Sequence, residues 1–318
     1  MVQNIMNISF IVPVYNEEST IVTCIEAILA QLCYGDEIIV VDNGSTDKTL
    51  AYLSLMKDVN VISNPGVTIA AVRNSGAEIA TNEVLAFVDA DCVLSPHWRD
   101  AVVDTLEDKR VGATGSKVDI PTDAVWIERA WYSQRSSGCS QASYINSGNL
   151  VVRKNVFDEV GGFLESLTTG EDSELGWRIN RAGYVVFSNP AIKSVHLGNP
   201  KKLYSFYKKE KWHALGMMGT FKISCLDKPV IMTVLFLVLN ALAIILFFVY
   251  VFRGSMSVAM MVLVASSLLV PIVTAIYRIT VFKNKYYFVQ LVALYWVYYL
   301  ARTQVLISVV FNHVFERE

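Results

Sequence analysis

Two hydrophobic patterns divide the chain. Up to about residue 225, short apolar runs of strand length alternate with segments whose apolar residues recur at helical spacing; beyond it, apolar residues continue almost without interruption. Ile8 to Val14 reads as a buried strand, followed by Asn16-Glu17-Glu18-Ser19 and a helical pattern to about Gln31. Glu37 to Asp42 repeats the unit, with Ser45, Thr46 and Asp47 as caps for a helix around Lys48 to Met56. Val59 to Ser63, Ile69 to Ala80 and Val84 to Val88 supply a third strand, a third helix and a fourth strand. This alternation predicts an α/β domain with a parallel sheet covered on both faces. Further on, Tyr144 to Val152 reads as a strand around Ser147-Gly148-Asn149, Ser173 to Ala182 as a helix and Tyr184 to Asn189 as a strand.

The later pattern is of another kind. Val230 to Phe252 carries no charge, and at about 1.5 Å per residue it can cross a hydrocarbon layer of roughly 30 Å. Met256 to Tyr277 is a second such run, set off only by Arg253-Gly254-Ser255, so the two form a tight hairpin in which Pro271 is placed to kink the second helix. A third run, Tyr286 to Phe311, is rich in aromatics and contains Arg302, which must face other protein or reach the interface. The expected layout is an α/β domain over 1–200, a basic and aromatic segment over 201–228, and a membrane region over 229–318 with spans near 230–252, 256–277 and 287–311.

Composition sharpens this division. The chain is 53% hydrophobic, above the roughly 45–50% of soluble domains, and no Asp or Glu occurs from Pro229 to Phe315. The loop Arg278 to Lys285 carries three basic residues against one in the hairpin turn, and Lys222 and Lys228 precede the first span. Basic residues favour the cytoplasmic side, so the α/β domain is expected in the cytosol, on a multi-pass protein of the cell's inner membrane, with the C-terminus outside if all three runs cross. A net charge of -2 without a Lys/Arg stripe or a stacking platform argues against a nucleic-acid partner. The five cysteines have no paired spacing and read as small core residues. Lys201 to Phe221 interleaves five lysines with Tyr204, Phe206, Tyr207 and Trp212, a composition suited to a helix lying on anionic lipid.

In a parallel sheet the ligand sits beyond the carboxyl ends of the strands. Those positions hold Tyr15 to Glu17, Asp42-Asn43-Gly44 and Asp89-Ala90-Asp91. Asp47 reads best as a cap. Asp89 and Asp91 do not, because two carboxylates following an apolar strand repel unless a cation or donors neutralise them, and one residue apart they can surround a hard divalent ion and leave room for diphosphate oxygens. Neither a Gly-rich loop ending in Gly-Lys-Ser/Thr nor Gly-X-Gly-X-X-Gly follows the first strand, so a P-loop enzyme or a dinucleotide-dependent dehydrogenase lacks its motif.

Together Pro13-Val14-Tyr15-Asn16-Glu17-Glu18, Asp42 to Asp47, Arg73-Asn74-Ser75-Gly76, Asp89-Ala90-Asp91 and Gly170-Glu171-Asp172 resemble the family 2 glycosyltransferases of the GT-A fold, over about Ile8 to Phe221. The resemblance implies a Rossmann-like mixed sheet, here followed by a bundle of about three transmembrane helices, and transfer of a sugar from a nucleotide-sugar donor with inversion. It implies that Pro13, Tyr15, Glu17, Asp42, Arg73 and Asp89 hold the nucleotide, and that Asp89, Asp91 and His196 hold a divalent metal, Mn2+ or Mg2+. Asp172 is the general base by this reading, in a polar segment leading into a helix, with Arg178 placed to pair with the acidic cluster. Glu171, Lys211 and Trp212 fall on the acceptor side; Lys211-Trp212 resembles an Arg-Trp pair of processive synthases, whose flanking residues are absent here. The expected acceptor is a lipid-linked glycan near the membrane surface in polysaccharide synthesis. Two alternatives stay open: a polyprenyl-phosphate sugar synthase, and a catalytically silent membrane scaffold.

Overall fold

The computed structural model describes residues 6–132, 138–221, 228–282 and 285–315. It forms two compact units, one from the described residues of Met1–Thr122 and Arg135–Asn199, the other from those of Asp123–Gln134 and Pro200–Glu318. Against the expected boundaries, the short segment 123–134 leaves the α/β unit and belongs with the C-terminal helices.

The elements follow in order as β1 (Ile8–Val14), α1 (Ile21–Leu29), β2 (Glu37–Asp42), α2 (Thr49–Leu53), β3 (Asn60–Ser63), α3 (Ile69–Ile79) and β4 (Val84–Val88). Next come β5 (Cys92–Leu94), α4 (Trp98–Leu106), β6 (Val111–Gly115), α5 (Trp126–Trp131), β7 (Ser140–Gln141), β8 (Asn149–Arg153), α6 (Lys154–Glu159), α7 (Glu171–Arg181), β9 (Val185–Ser188) and β10 (Ser194–His196). The second unit contains α5 together with α8 (Leu203–Phe221), α9 (Lys228–Phe252), α10 (Met256–Phe282) and α11 (Phe288–Phe315).

The first unit is built on a mixed sheet in the order β3-β2-β1-β4-β8-β6-β9-β7. Its first four strands are parallel, β8 runs antiparallel to both β4 and β6, and a separate antiparallel ribbon joins β5 to β10. Both faces are covered, which is why β1, β2 and β4 read as unbroken apolar runs. From β1, Phe10, Val12 and Val14 pack with Ile21, Ile25 and Ile28 of α1 and Trp98 of α4, while Ile11 faces the other way, against Ala70 and Val72 of α3. A Cβ on Gly76 would sit 2.5 Å from the Ile11 side chain, so glycine is what lets α3 lie this close to β1. Trp98 donates its ring N–H to Asn149 Oδ1 at 2.8 Å, and Asn149 donates to the Ile192 carbonyl at 2.8 Å, which leaves that buried amide satisfied and structural.

Several predicted boundaries move. The helix expected to 56 is the shorter Thr49–Leu53, and the strand expected from 144 begins only at Asn149. The reason lies at 146–148: Asn146 Oδ1 accepts the Gly148 N–H at 3.0 Å, a local turn that holds these residues out of the ladder. The helix expected from 173 starts at Glu171, because Gly170, at φ 84°, takes the cap position that only glycine adopts cheaply.

In the second unit three helices are long and apolar enough to cross a membrane: Lys228–Phe252, Met256–Val281 and Phe288–Val309, with mean hydropathies of 2.9, 2.4 and 1.2. The middle one continues through Pro271 and past the expected end at 277. Arg302 of α11 does face protein: it lies 3.4 Å from Glu210 of α8 and stacks on the Tyr298 ring at 4.2 Å. Lys222, Lys283 and Cys225 lie outside the described residues.

Candidate active site

β1, β2 and β4 run parallel and in register, Val14 opposite Asp42, so their carboxyl ends open on one rim. The loops that follow are tied to one another. Asn16, in the left-handed region at φ 56°, donates its backbone N–H to Ser45 Oγ at 2.9 Å, and its Oδ1 accepts the Thr46 N–H at 2.8 Å. The Glu17 N–H donates to Thr49 Oγ1 at 2.9 Å, and Glu18 Oε2 accepts the Lys48 N–H at 3.1 Å. Asp47 accepts the Thr49 N–H at 3.0 Å, the capping role read for it from sequence. Asp42, 1% exposed, is satisfied by the N–H groups of Gly44 and Ser45 at 2.9 and 3.1 Å. Pro13 is buried within β1 and Tyr15 is 58% exposed at its end.

At the centre of the rim stands Arg73, 3% exposed on α3. One guanidinium nitrogen donates to Asp89 Oδ1 at 2.7 Å and the other to Glu171 Oε1 at 2.8 Å. A single buried cation thus joins the strand-end acid to the first turn of α7. Asp89 is pressed against Gly148, where a Cβ would fall 2.7 Å from its second oxygen. Sequence placed Arg73 among the nucleotide contacts; the structure shows it engaged with two carboxylates.

Asp91 lies 3.4 Å from His196 Nε2, a meeting made by the β5–β10 ribbon, which sets Cys92 opposite His196. Gly198 closes this corner: a Cβ there would overlap Asp91 Oδ2. Donor atoms of Asp91, Cys92 and His196 lie within 4.8 Å of one another. Burial, with Asp89 and Asp91 adding to it, pushes the Cys92 thiol well up, so the sulfur is a neutral S–H that packs, while the carboxylate and imidazole are hard and borderline donors that fit Mn2+ or Mg2+. Glu17 belongs to the same neighbourhood. Burial pushes its carboxyl up, Asp91 and Asp89 push the same way, and the Thr20 hydroxyl and His196 oppose them.

Asp172 sits one residue inside α7. Its Oδ1 accepts the Ser173 N–H at 2.7 Å and its Oδ2 the Asn146 amide at 3.4 Å. Burial first, and then the Glu171 charge, pushes it up to about 6, against backbone hydrogen bonds and Arg73 that pull it down. Such a carboxyl is ionised at neutral pH yet basic enough to take a proton. Tyr144, which sequence did not single out, is close enough for the Asp172 charge to add to burial in raising its phenol. Arg178 pairs with the acidic first turn of α7 through Glu174, at 2.7 Å, rather than through Asp172, and donates to the Gly162 carbonyl at 2.7 Å, tying α7 to the turn before it. Lys211 and Trp212 are exposed residues of α8, in the second unit.

Residues 9–163 match the model of the glycosyl transferase family 2 domain. Glycosyltransferase AglE of Haloferax volcanii is 32% identical over 200 residues, covering 58% of this chain and 65% of its own length. The O-antigen chain rhamnosyltransferase RfbN of Salmonella typhimurium is 26% identical over 223 residues, covering 64% and 70%. Among solved structures, the mannosyltransferase PcManGT of Pyrobaculum calidifontis, in complex with GDP-Man and Mn2+, superposes with a TM-score of 0.59 at 19% identity, over 98% of this chain and 88% of its own. That superposition establishes the GT-A architecture.

Proposed function

From a chain whose residues 9–163 are a glycosyl transferase family 2 domain, we propose an inverting, metal-dependent glycosyltransferase that moves a sugar from a nucleotide-sugar donor to a lipid-linked or glycan acceptor beside the membrane. The setting is cell-surface polysaccharide or glycoconjugate synthesis, with the α/β unit on the cytoplasmic side of a multi-pass protein of the cell membrane. The observation that carries this reading is Asp172, a carboxyl held at about 6 on the same rim as the Arg73-bridged acids.

Pro13, Tyr15, Glu17 and Asp42 hold the base and ribose in the laced loops, and Arg73 fixes Asp89 beside them. Asp89, Asp91 and His196 would hold Mn2+ or Mg2+, which would supply positive charge to the departing diphosphate. Asp172 takes the proton from the acceptor hydroxyl while that oxygen bonds to the anomeric carbon on the face opposite the breaking bond to diphosphate. Glu171 keeps Asp172 basic. Lys211 and Trp212, exposed on a helix suited to anionic lipid, stand on the acceptor side. The rhamnosyltransferase and mannosyltransferase relatives support a sugar as the group transferred, and the Mn2+ complex supports the ion.

Asp172→Asn tests it. Turnover is expected to fall about 100- to 10,000-fold with donor affinity unchanged, measured by release of nucleoside diphosphate in membranes. Full turnover in this variant would sink the role of Asp172 and favour the polyprenyl-phosphate acceptor, whose oxygen is already ionised.

A further inference from the structure

Three helices of the second unit qualify as spans by length and apolarity, but the third is held differently from the other two. Exposed large side chains cover more than half of the α9 circumference, from Ile244 and Phe248 through Ile245 and Leu242 to Leu246. On α11 the exposed large apolar residues fall into one stripe, Val289, Trp296, Leu300, Ile307 and Phe311, a spacing of seven and four residues that returns to one side of a helix every one or two turns. Its opposite side is covered by α5 and α8. Leu294 packs with Ile127, Ala130 and Phe206, and Trp131 lies edge-on to Tyr295 at 4.8 Å. Arg302 meets Glu210, and Gln304 accepts the Tyr207 hydroxyl.

Those contacts run from Leu294 to Gln304, about 15 Å of helix. The partner along them, α8, carries Lys208, Lys209, Glu210 and Lys211 in succession. Were α11 to cross the bilayer, its middle would draw that charged stretch into the hydrocarbon, where such residues are costly and rare. On the third side, the first turns of α11 pack on the hairpin: Leu291, Tyr295 and Tyr299 cluster with Phe236 of α9 and Val270 and Ala275 of α10, Tyr299 shares a 2.8 Å hydrogen bond with Thr274, and Arg278 donates to the Trp131 carbonyl and lies 4.6 Å over its ring.

From these contacts we infer that α11 does not span: it lies along the membrane surface on the side where α9 begins, with its Val289-to-Phe311 stripe against lipid and α8 and α5 behind it. The described residues then cross twice, through α9 and α10, and the end of α11 lies on the side of Lys228. This rests on the membrane reading of α9 and α10.

The test uses the full-length protein with a protease-cleavable tag placed either within Arg253-Gly254-Ser255 or after Glu318, in sealed vesicles of both orientations. The two tags are expected to be cut from opposite faces. Cleavage of both from the same face, with the protein resisting alkaline carbonate, would overturn the inference and establish three crossings. Release of the protein by carbonate would instead remove the membrane reading itself, and the inference with it. The charge reversal Arg302→Glu gives a second measure: a surface helix held by Glu210 should become more open to protease in α11, whereas a spanning α11 would stay protected.

Discussion

A buried guanidinium with a carboxylate on each side, as Arg73 has in Asp89 and Glu171, binds two anionic groups through one cation and holds the strand end and the helix start together. Asp172 stands just outside this pair and feels Glu171 as a like charge. Its proton affinity therefore sets the acid side of the pH profile: the base works ionised, so kcat/KM should fall about tenfold per unit as pH drops below about 6. Glu171→Gln removes the repelling charge and leaves Arg73 paired with Asp89. The acid limb should then move to lower pH, and an unmoved limb would show that Glu171 does not tune the base. Gly198→Ala acts at the other corner, where the new methyl overlaps Asp91 Oδ2. The carboxylate must turn away, and the Mn2+ concentration giving half-maximal activity should rise at least about tenfold with the melting temperature little changed. The acids of this site were legible because each follows a strand or opens a helix, where sequence position implies a rim. Gly198 and Cys92 were not, because the ribbon that brings them to Asp91 is made of three-residue strands too short to show a period.

Among the elements, those with a long apolar period were readable in advance and those defined by distant partners were not. β1, β2, β4 and α3 announce themselves through unbroken runs or helical spacing. β6, Val-Gly-Ala-Thr-Gly, has no such run and becomes a strand by pairing with β8 and β9. The same holds for α8, which reads from sequence as a basic surface helix, yet buries Glu210 at 4% exposure against Arg302. Burial pushes the Glu210 carboxyl up while Arg302 draws it down. Replacing it, Glu210→Gln, leaves a buried guanidinium without its counter-ion and should destabilise the second unit by about 3 kcal/mol, read as a lower melting temperature in detergent. The double variant Glu210→Gln, Arg302→Gln should recover part of that loss, since two neutral amides can pair with each other.

For the molecule as a whole, the rim is laced: six cross-loop hydrogen bonds involving Asn16, Glu17 and Glu18 hold the loops after β1 and β2 together. A nucleotide-sugar should thus stabilise the protein in proportion to its affinity alone, about 2.7 kcal/mol at a hundredfold excess over Kd. Screening UDP-, GDP- and dTDP-sugars with Mn2+ by thermal shift should single out one nucleotide, and chelating the ion should abolish the shift. No shift with any of them would remove the donor assignment.

The place of α5 bears on how the protein is made. Its segment emerges between β6 and β7, yet Ile127 and Trp131 pack on Phe206 of α8, about 80 residues later, and on Leu294 and Tyr295 of α11, about 165 residues later. At about 5–20 residues per second the ribosome needs on the order of ten to thirty seconds to supply those partners. During that interval a tryptophan and an isoleucine wait beside a folding sheet with nothing to cover them, so a chain cut short near residue 200 should emerge sticky, and the nascent protein should depend on prompt handover to the membrane.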